Sequence, residues 1–88
     1  MIIYSYVFDG SIYHFPDEES ALEAVENEIA RILKDAVDED CIPAEMYDCY
    51  FDDLTASMEF PSVGYKETIF VEDYTTGSNI ELYTGYLK

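Results

Sequence analysis

The sequence predicts an α+β domain: an antiparallel sheet of four to five strands with two helices packed on one face, in the order ββααβ(β)β. Three observations point there. Two apolar and aromatic runs near the start are separated by Asp9-Gly10. Apolar residues recur at helical spacing from about 18 to 36 and again from about 43 to 54. Strand-like segments return after residue 67. With 88 residues the chain forms one domain, 1–88, with a small core and modest stability.

The first element is a hairpin, "IIYSYVF" (2–8) and "SIYHF" (11–15), because Asp-Gly supplies the positive φ angles of a tight turn. Both faces of the first strand are apolar or aromatic, which places it inside the sheet. Pro16 and Asp17 end the hairpin. A helix over 18–36 follows, with Asp17 as N-cap, or with Ser20 and Glu23 as a capping box if it starts later. Ala21, Leu22, Val25, Ile29, Ile32, Leu33 and Ala36 form its buried stripe. Early Glu18 and Glu19 and late Arg31 and Lys34 suit the helix dipole.

The second helix spans 43–54, with Pro43 at its first position. Met46, Tyr47, Tyr50, Phe51 and Leu54 form its apolar face. Strands are expected at "TIFVEDY" (68–74) and "NIELYTGYL" (79–87), joined by "TTGSN". Residues 55–63 can add a further strand that Pro61 ends or confines to an edge.

Composition narrows the function. Nine Tyr and five Phe in a chain that is 49% hydrophobic favour folding over disorder. Against this stand 20 acids and four bases, a formal charge of −16. With no basic patch to neutralise phosphates, direct nucleic-acid binding is excluded, and an anionic membrane surface is disfavoured. The start "MIIYSYVF" lacks the basic region and cleavage site of a signal peptide, and no apolar run is long enough to span a bilayer. Cys41 and Cys49 match neither zinc nor CxxC spacing, so reduced thiols and a cytoplasmic location are expected.

Catalytic and cofactor chemistry find little footing. His14 is the single histidine, on a strand between Tyr13 and Phe15, where packing or edge exposure is the simpler role. No nucleophile–base spacing and no glycine-rich phosphate loop is present. "DAVDEDCIPAE" has the acid density of a calcium loop without its ligand order or glycine. The expectation is therefore no enzyme, no cofactor and no metal site.

The charge is unevenly placed. Residues 17–53 hold 14 acids and two bases, net −12, whereas the other 51 residues carry net −4. Glu19, Glu23 and Glu26 form a row on the first helix at i, i+4, i+7. Glu45, Asp48 and Asp52 form one on the second at i, i+3, i+7, with Asp53 beside it. Asp38, Glu39 and Asp40 fill the gap between. Side chains three or four apart on a helix lie roughly 5–6 Å apart at Cβ, and like charges there cost a few tenths of a kcal/mol per pair. Tyr47 borders the second row, as an aromatic anchor beside charges or as core packing. A face that serves only solubility, and adaptation to high salt, are the plain alternatives. Charge gathered on one stretch weighs against the first, and the many Ile, Phe and Tyr residues against the second.

In small size, acidity on a folded scaffold, aromatic richness and the rows Glu19/Glu23/Glu26 and Glu45/Asp48/Asp52, the chain resembles the DNA-mimic inhibitors of phages and mobile elements. These include uracil-DNA glycosylase inhibitor, anti-restriction and anti-CRISPR proteins; the likeness is one of character, with no shared motif. It implies an inhibitor whose carboxylates occupy the basic DNA- or RNA-binding groove of a host defence nuclease or ribonucleoprotein complex in the bacterial cytoplasm. The alternative is an immunity-type or regulatory protein that binds a basic toxin or enzyme without imitating nucleic acid. A structural phage or accessory protein is a third.

Overall fold

The computed structural model describes residues 1–56 and 58–86. Asp9 and Gly10 carry φ of 51° and 81°, the two positive angles that a type I′ turn needs. They join β1 (Ile2–Phe8) to β2 (Ser11–Phe15) in an antiparallel hairpin whose register pairs Tyr6 with Tyr13 and Ser5 with His14. After α1 (Glu18–Asp38) and α2 (Tyr47–Thr55), β3 (Lys66–Ile69) and β4 (Ile80–Tyr86) complete the sheet. The order is β2-β1-β4-β3, antiparallel throughout. The α+β class and the interior position of the first strand are as the sequence predicts, with four strands among the described residues.

Strand alternation gives the sheet two unlike faces. Tyr4, Tyr6, Phe8, Phe15, Ile69, Ile80 and Leu82 share the inner face and meet the α1 stripe of Ala21, Val25, Ile29, Ile32, Leu33 and Ala36. Each fully buried aliphatic side chain contributes about 1.5–3 kcal/mol. The same layer takes in α2, which packs on α1 and leans its Tyr50 ring 4.8 Å from that of Tyr74. Both helices therefore cover one face, and among the described residues no helix or strand covers the other.

The helix ends follow from local chemistry. Asp17 caps α1: its Oδ1 accepts from Ser20 N at 2.8 Å, so the helix starts at Glu18 and the Ser20/Glu23 box is not used. The helix runs to Asp38, two residues beyond the expected end. Asp40 N donates to Val37 O at 3.1 Å and Cys41 N to Ala36 O at 2.8 Å. With Asp40 at φ 58°, this is a Schellman ending, in the position where glycine is usual.

Three boundaries depart from expectation. Pro43 precedes a single 3-10 turn, Ala44–Met46, closed by Met46 N donating to Pro43 O at 3.0 Å, and α2 begins only at Tyr47, with no side-chain cap from Met46. Among the described residues of 55–63 none lies in a strand; Ser57 is outside them. Pro61 cannot donate to a ladder. Instead the segment buries Phe60 edge-on to Tyr4, ring centres 5.5 Å apart. The expected strand 68–74 is shifted: pairing begins at Lys66 and ends at Ile69. The chain then enters a 3-10 turn, Val71–Asp73, that buries Val71 and is held by Glu72 N donating to Asn79 Oδ1 at 3.0 Å. Tyr86 closes β4, and Leu87 lies outside the described residues.

Candidate acidic interface

The helical layer displays the carboxylates in two groups. Glu19, Glu23 and Glu26 are exposed on the first half of α1, within a sector of about 60° at 100° per residue. Ala30 and Lys34 continue that sector, so the row stops there. Asp38 lies about 18 Å beyond Glu26 along the axis at 1.5 Å per residue. It opens the second group: Asp38, Glu39 and Asp40 pass through the Schellman turn, all exposed. The short connection then sets Glu45 close by in sequence, before Asp48, Asp52 and Asp53 on α2, again all exposed.

The expected row Glu45/Asp48/Asp52 crosses from one kind of helix into another. Glu45 belongs to the 3-10 turn, where residues advance about 120° rather than 100°. Asp48 and Asp52 keep their i, i+4 relation on α2, and because i and i+3 nearly eclipse through a 3-10 turn, Glu45 stays on the side of Asp48. Asp53, exposed like the others, reaches the β3–β4 connection, where Tyr74 Oη donates to its Oδ2 at 3.4 Å. Burial first, and the Asp53 charge second, push the Tyr74 phenol up. Tyr47 is half-buried against the core and stacks on Phe51, centres 6.2 Å apart and planes within 7°. It belongs to the packing of α2 as well as to its border.

Among the described residues two ion pairs occur, Arg31–Glu28 and Lys66–Glu81, and none of the candidate acids takes part in either. Glu28 is the site's unforeseen residue. It sits on the buried stripe, 6% exposed, accepting from Arg31 and, at 3.3 Å, from the Tyr6 hydroxyl. Burial, with Glu28 the next cause, raises the Tyr6 phenol to about 12. The Arg31 guanidinium, which also lies 5.9 Å over the Phe8 ring, is held protonated more firmly by Glu28. The signal was present in the spacing: Glu28 falls three residues after Val25 and three before Arg31. The consequence is electrostatic. Arg31 is spent on a buried acid, which leaves thirteen exposed carboxylates in residues 17–53 facing Lys34.

The opposite face of the sheet is different. Ile3, Ser5, Val7, Ile12, His14, Lys66, Thr68, Glu81, Tyr83 and Gly85 point outward together. Their formal charges, Lys66 and Glu81, cancel and are joined at 3.3 Å. Tyr83 Oη also donates to Glu81 at 2.8 Å; that bond, then Lys66, lowers the Glu81 carboxyl from its usual range. Ser5 Oγ and His14 Nδ1 lie 2.6 Å apart across the strands. That is a nucleophile–base distance, but no carboxylate or carbonyl holds the imidazole's other nitrogen among the hydrogen bonds of the described residues.

No helix is long and apolar enough to cross a membrane among the described residues. No protein-family model, curated protein or solved structure matches the chain.

Proposed function

We propose that this is a small inhibitor, encoded by a phage or mobile element, whose helical layer imitates nucleic-acid phosphates and fills the basic DNA- or RNA-binding groove of a host defence nuclease or CRISPR-type complex. It acts in the bacterial cytoplasm as a binding protein, not as a catalyst. One observation carries the reading: net −12 lies on the helical layer and none on the outer sheet face of the same small molecule. A coat that served solubility alone would have no reason to spare one side.

The physics supports the reading. A groove lined with Lys and Arg steers a complementary anion to itself at high rates. Acids fixed on helices lose less freedom on docking than acids on a tail. The repulsion held in the unbound protein falls when the partner's cations arrive. The two groups, at opposite ends of α1, suit an extended groove better than a single pocket.

A second reading, an immunity-type plug for a basic toxin or enzyme, draws on the Tyr47–Phe51 stack beside Asp48 and Asp52. Capture of partners from host lysate, with and without excess duplex DNA, tests the class: a nucleic-acid enzyme that DNA displaces supports mimicry. Neutralising Glu19, Glu23, Glu26, Asp38, Glu39, Asp40, Glu45, Asp48, Asp52 and Asp53 stepwise then separates the readings. Mimicry predicts graded loss over many acids; a plug predicts collapse with Tyr47→Ala alone.

A further inference from the structure

We infer that Ser5 is a reactive nucleophile that takes up an acyl group from a small uncharged aryl ester, with His14 as its general base. Strand register sets His14, Ser5, Tyr83 and Lys66 in one row across all four strands of the outer face. Neighbours in such a row stand about 4.7–4.9 Å apart at the backbone. Ser5 Oγ and His14 Nδ1 close that gap to 2.6 Å. Tyr83 and Lys66 both bond Glu81, so the Ser5–His14 pair stands apart from the charges of this face. The Ser5 hydroxyl is sheltered, the residue being 9% exposed, and is reached from a groove of about 640 Å³ that Tyr65, Tyr83 and Tyr86 also line. Nothing stands within 4 Å of where a side chain on Gly85 would begin, so the same groove has an open floor. A hollow of this size takes a small aromatic molecule.

The chemistry balances within the pair. With the proton on Nε2, which the exposed ring presents to water, Nδ1 is free to accept from the Ser5 hydroxyl. As Oγ attacks the ester carbonyl carbon, its proton passes to Nδ1. The Oγ–C bond forms, the bond from that carbon to the aryloxy oxygen breaks, and the proton leaves Nδ1 on the departing phenol. Ser5 ends as an ester and His14 is neutral again. Turnover is another matter. β1 lies between β2 and β4, so its backbone N–H groups are engaged in the ladders and none is aimed at an oxyanion. The outcome is a lasting acyl-serine rather than a hydrolytic cycle, which leaves the chain a binding protein. Walls and field set the substrate class. Tyrosine rings favour an aromatic group against them, and a chain of −16 repels anions. None of this rests on the inhibitor reading, which uses the opposite face.

Incubating the intact chain with p-nitrophenyl acetate, then mapping acetylated peptides by mass spectrometry, tests the inference. The expected label is on Ser5, formed about a hundredfold faster than on any other serine or threonine. Ser5→Ala should abolish that label and leave the rest of the map unchanged, and His14→Gln should slow it by about a hundredfold. Gly85→Leu, which fills the groove floor while both partners stay, should slow it by about tenfold. A ring-carboxylated analogue of the ester should react about tenfold more slowly at low salt, with the gap closing as salt rises. An unchanged urea midpoint establishes that the variants fold, and the position of the label in the unaltered chain decides the matter without them. Label on lysines and tyrosines with Ser5 unmarked overturns the inference. So does a Ser5 label whose rate survives His14→Gln, which would reduce the pair to a cross-strand structural bond. Equal rates for the neutral and the anionic ester overturn the substrate class.

Discussion

Asp40 holds a left-handed conformation at the end of α1, and replacing it separates backbone strain from charge repulsion. An L-residue in this region costs about 1–2 kcal/mol, with Asp at the lower end because its short polar side chain can bond locally. Glycine removes that cost but returns roughly 0.4–1 kcal/mol through the greater freedom of the unfolded chain. Losing a carboxylate next to Asp38 and Glu39 adds a few tenths of a kcal/mol at low salt. Asp40→Gly should therefore stabilise by about 0.3–0.9 kcal/mol, which raises Tm by about 4–8 °C per kcal/mol in a domain of this size. Asp40→Asn keeps a side chain tolerated at this φ and removes the charge; its smaller gain should vanish at high salt. Asp40→Ala, without local bonding, should be less stable than Asp40→Gly by about 1 kcal/mol. Urea unfolding followed by far-UV circular dichroism ranks the three. If Ala equals Gly, or Gly destabilises, the strain is absent and the Schellman account of this helix end fails.

Two further outcomes follow from the buried Glu28. Tyr6→Phe should cost about 1 kcal/mol by removing one donor to the carboxylate. Its phenol, shifted from 10.0 to about 12, stabilises the fold fully below pH 10, and that contribution is lost as pH rises toward 12. Tyrosinate absorbance during alkaline titration should lose a late component in the variant. Arg31→Ala leaves Glu28 without its cation and should destabilise by about 1–2 kcal/mol, less than a fully buried pair because Arg31 is mostly exposed. Adding Glu28→Leu should recover most of it, which a double-mutant cycle in urea measures.

Much of the fold was legible because local chemistry and tertiary packing agree there. Asp9-Gly10 specifies its turn by φ alone, Asp17 caps α1, and the 3.6-residue stripe from Ala21 to Ala36 has one face to bury. The sequence misled where packing overrode pattern. "TIFVEDY" alternates like a strand, yet Val71 is needed in the core and pulls the chain into a 3-10 turn after Ile69. Pro43 signals a helix start, but the first turn there closes as a 3-10 turn, Met46 N onto Pro43 O, and the α-helix starts only at Tyr47. The candidate acids were readable one by one, since exposure follows from spacing on an amphipathic helix. The neutrality of the outer face was not, because it depends on which strands neighbour each other; the Glu28–Arg31 pair, i and i+3 on one helix, was signalled by spacing alone. Register between β1 and β4 is a non-local fact.

The central claim is that carboxylates on the helical layer occupy a site built for nucleic acid. The most direct test measures the affinity of the captured partner as NaCl rises, and again with duplex DNA present. Mimicry predicts a steep, continuous loss of affinity with salt and strict competition, with protein and DNA never bound at the same groove together. An affinity unchanged by salt, or a stable ternary complex at that groove, would contradict it.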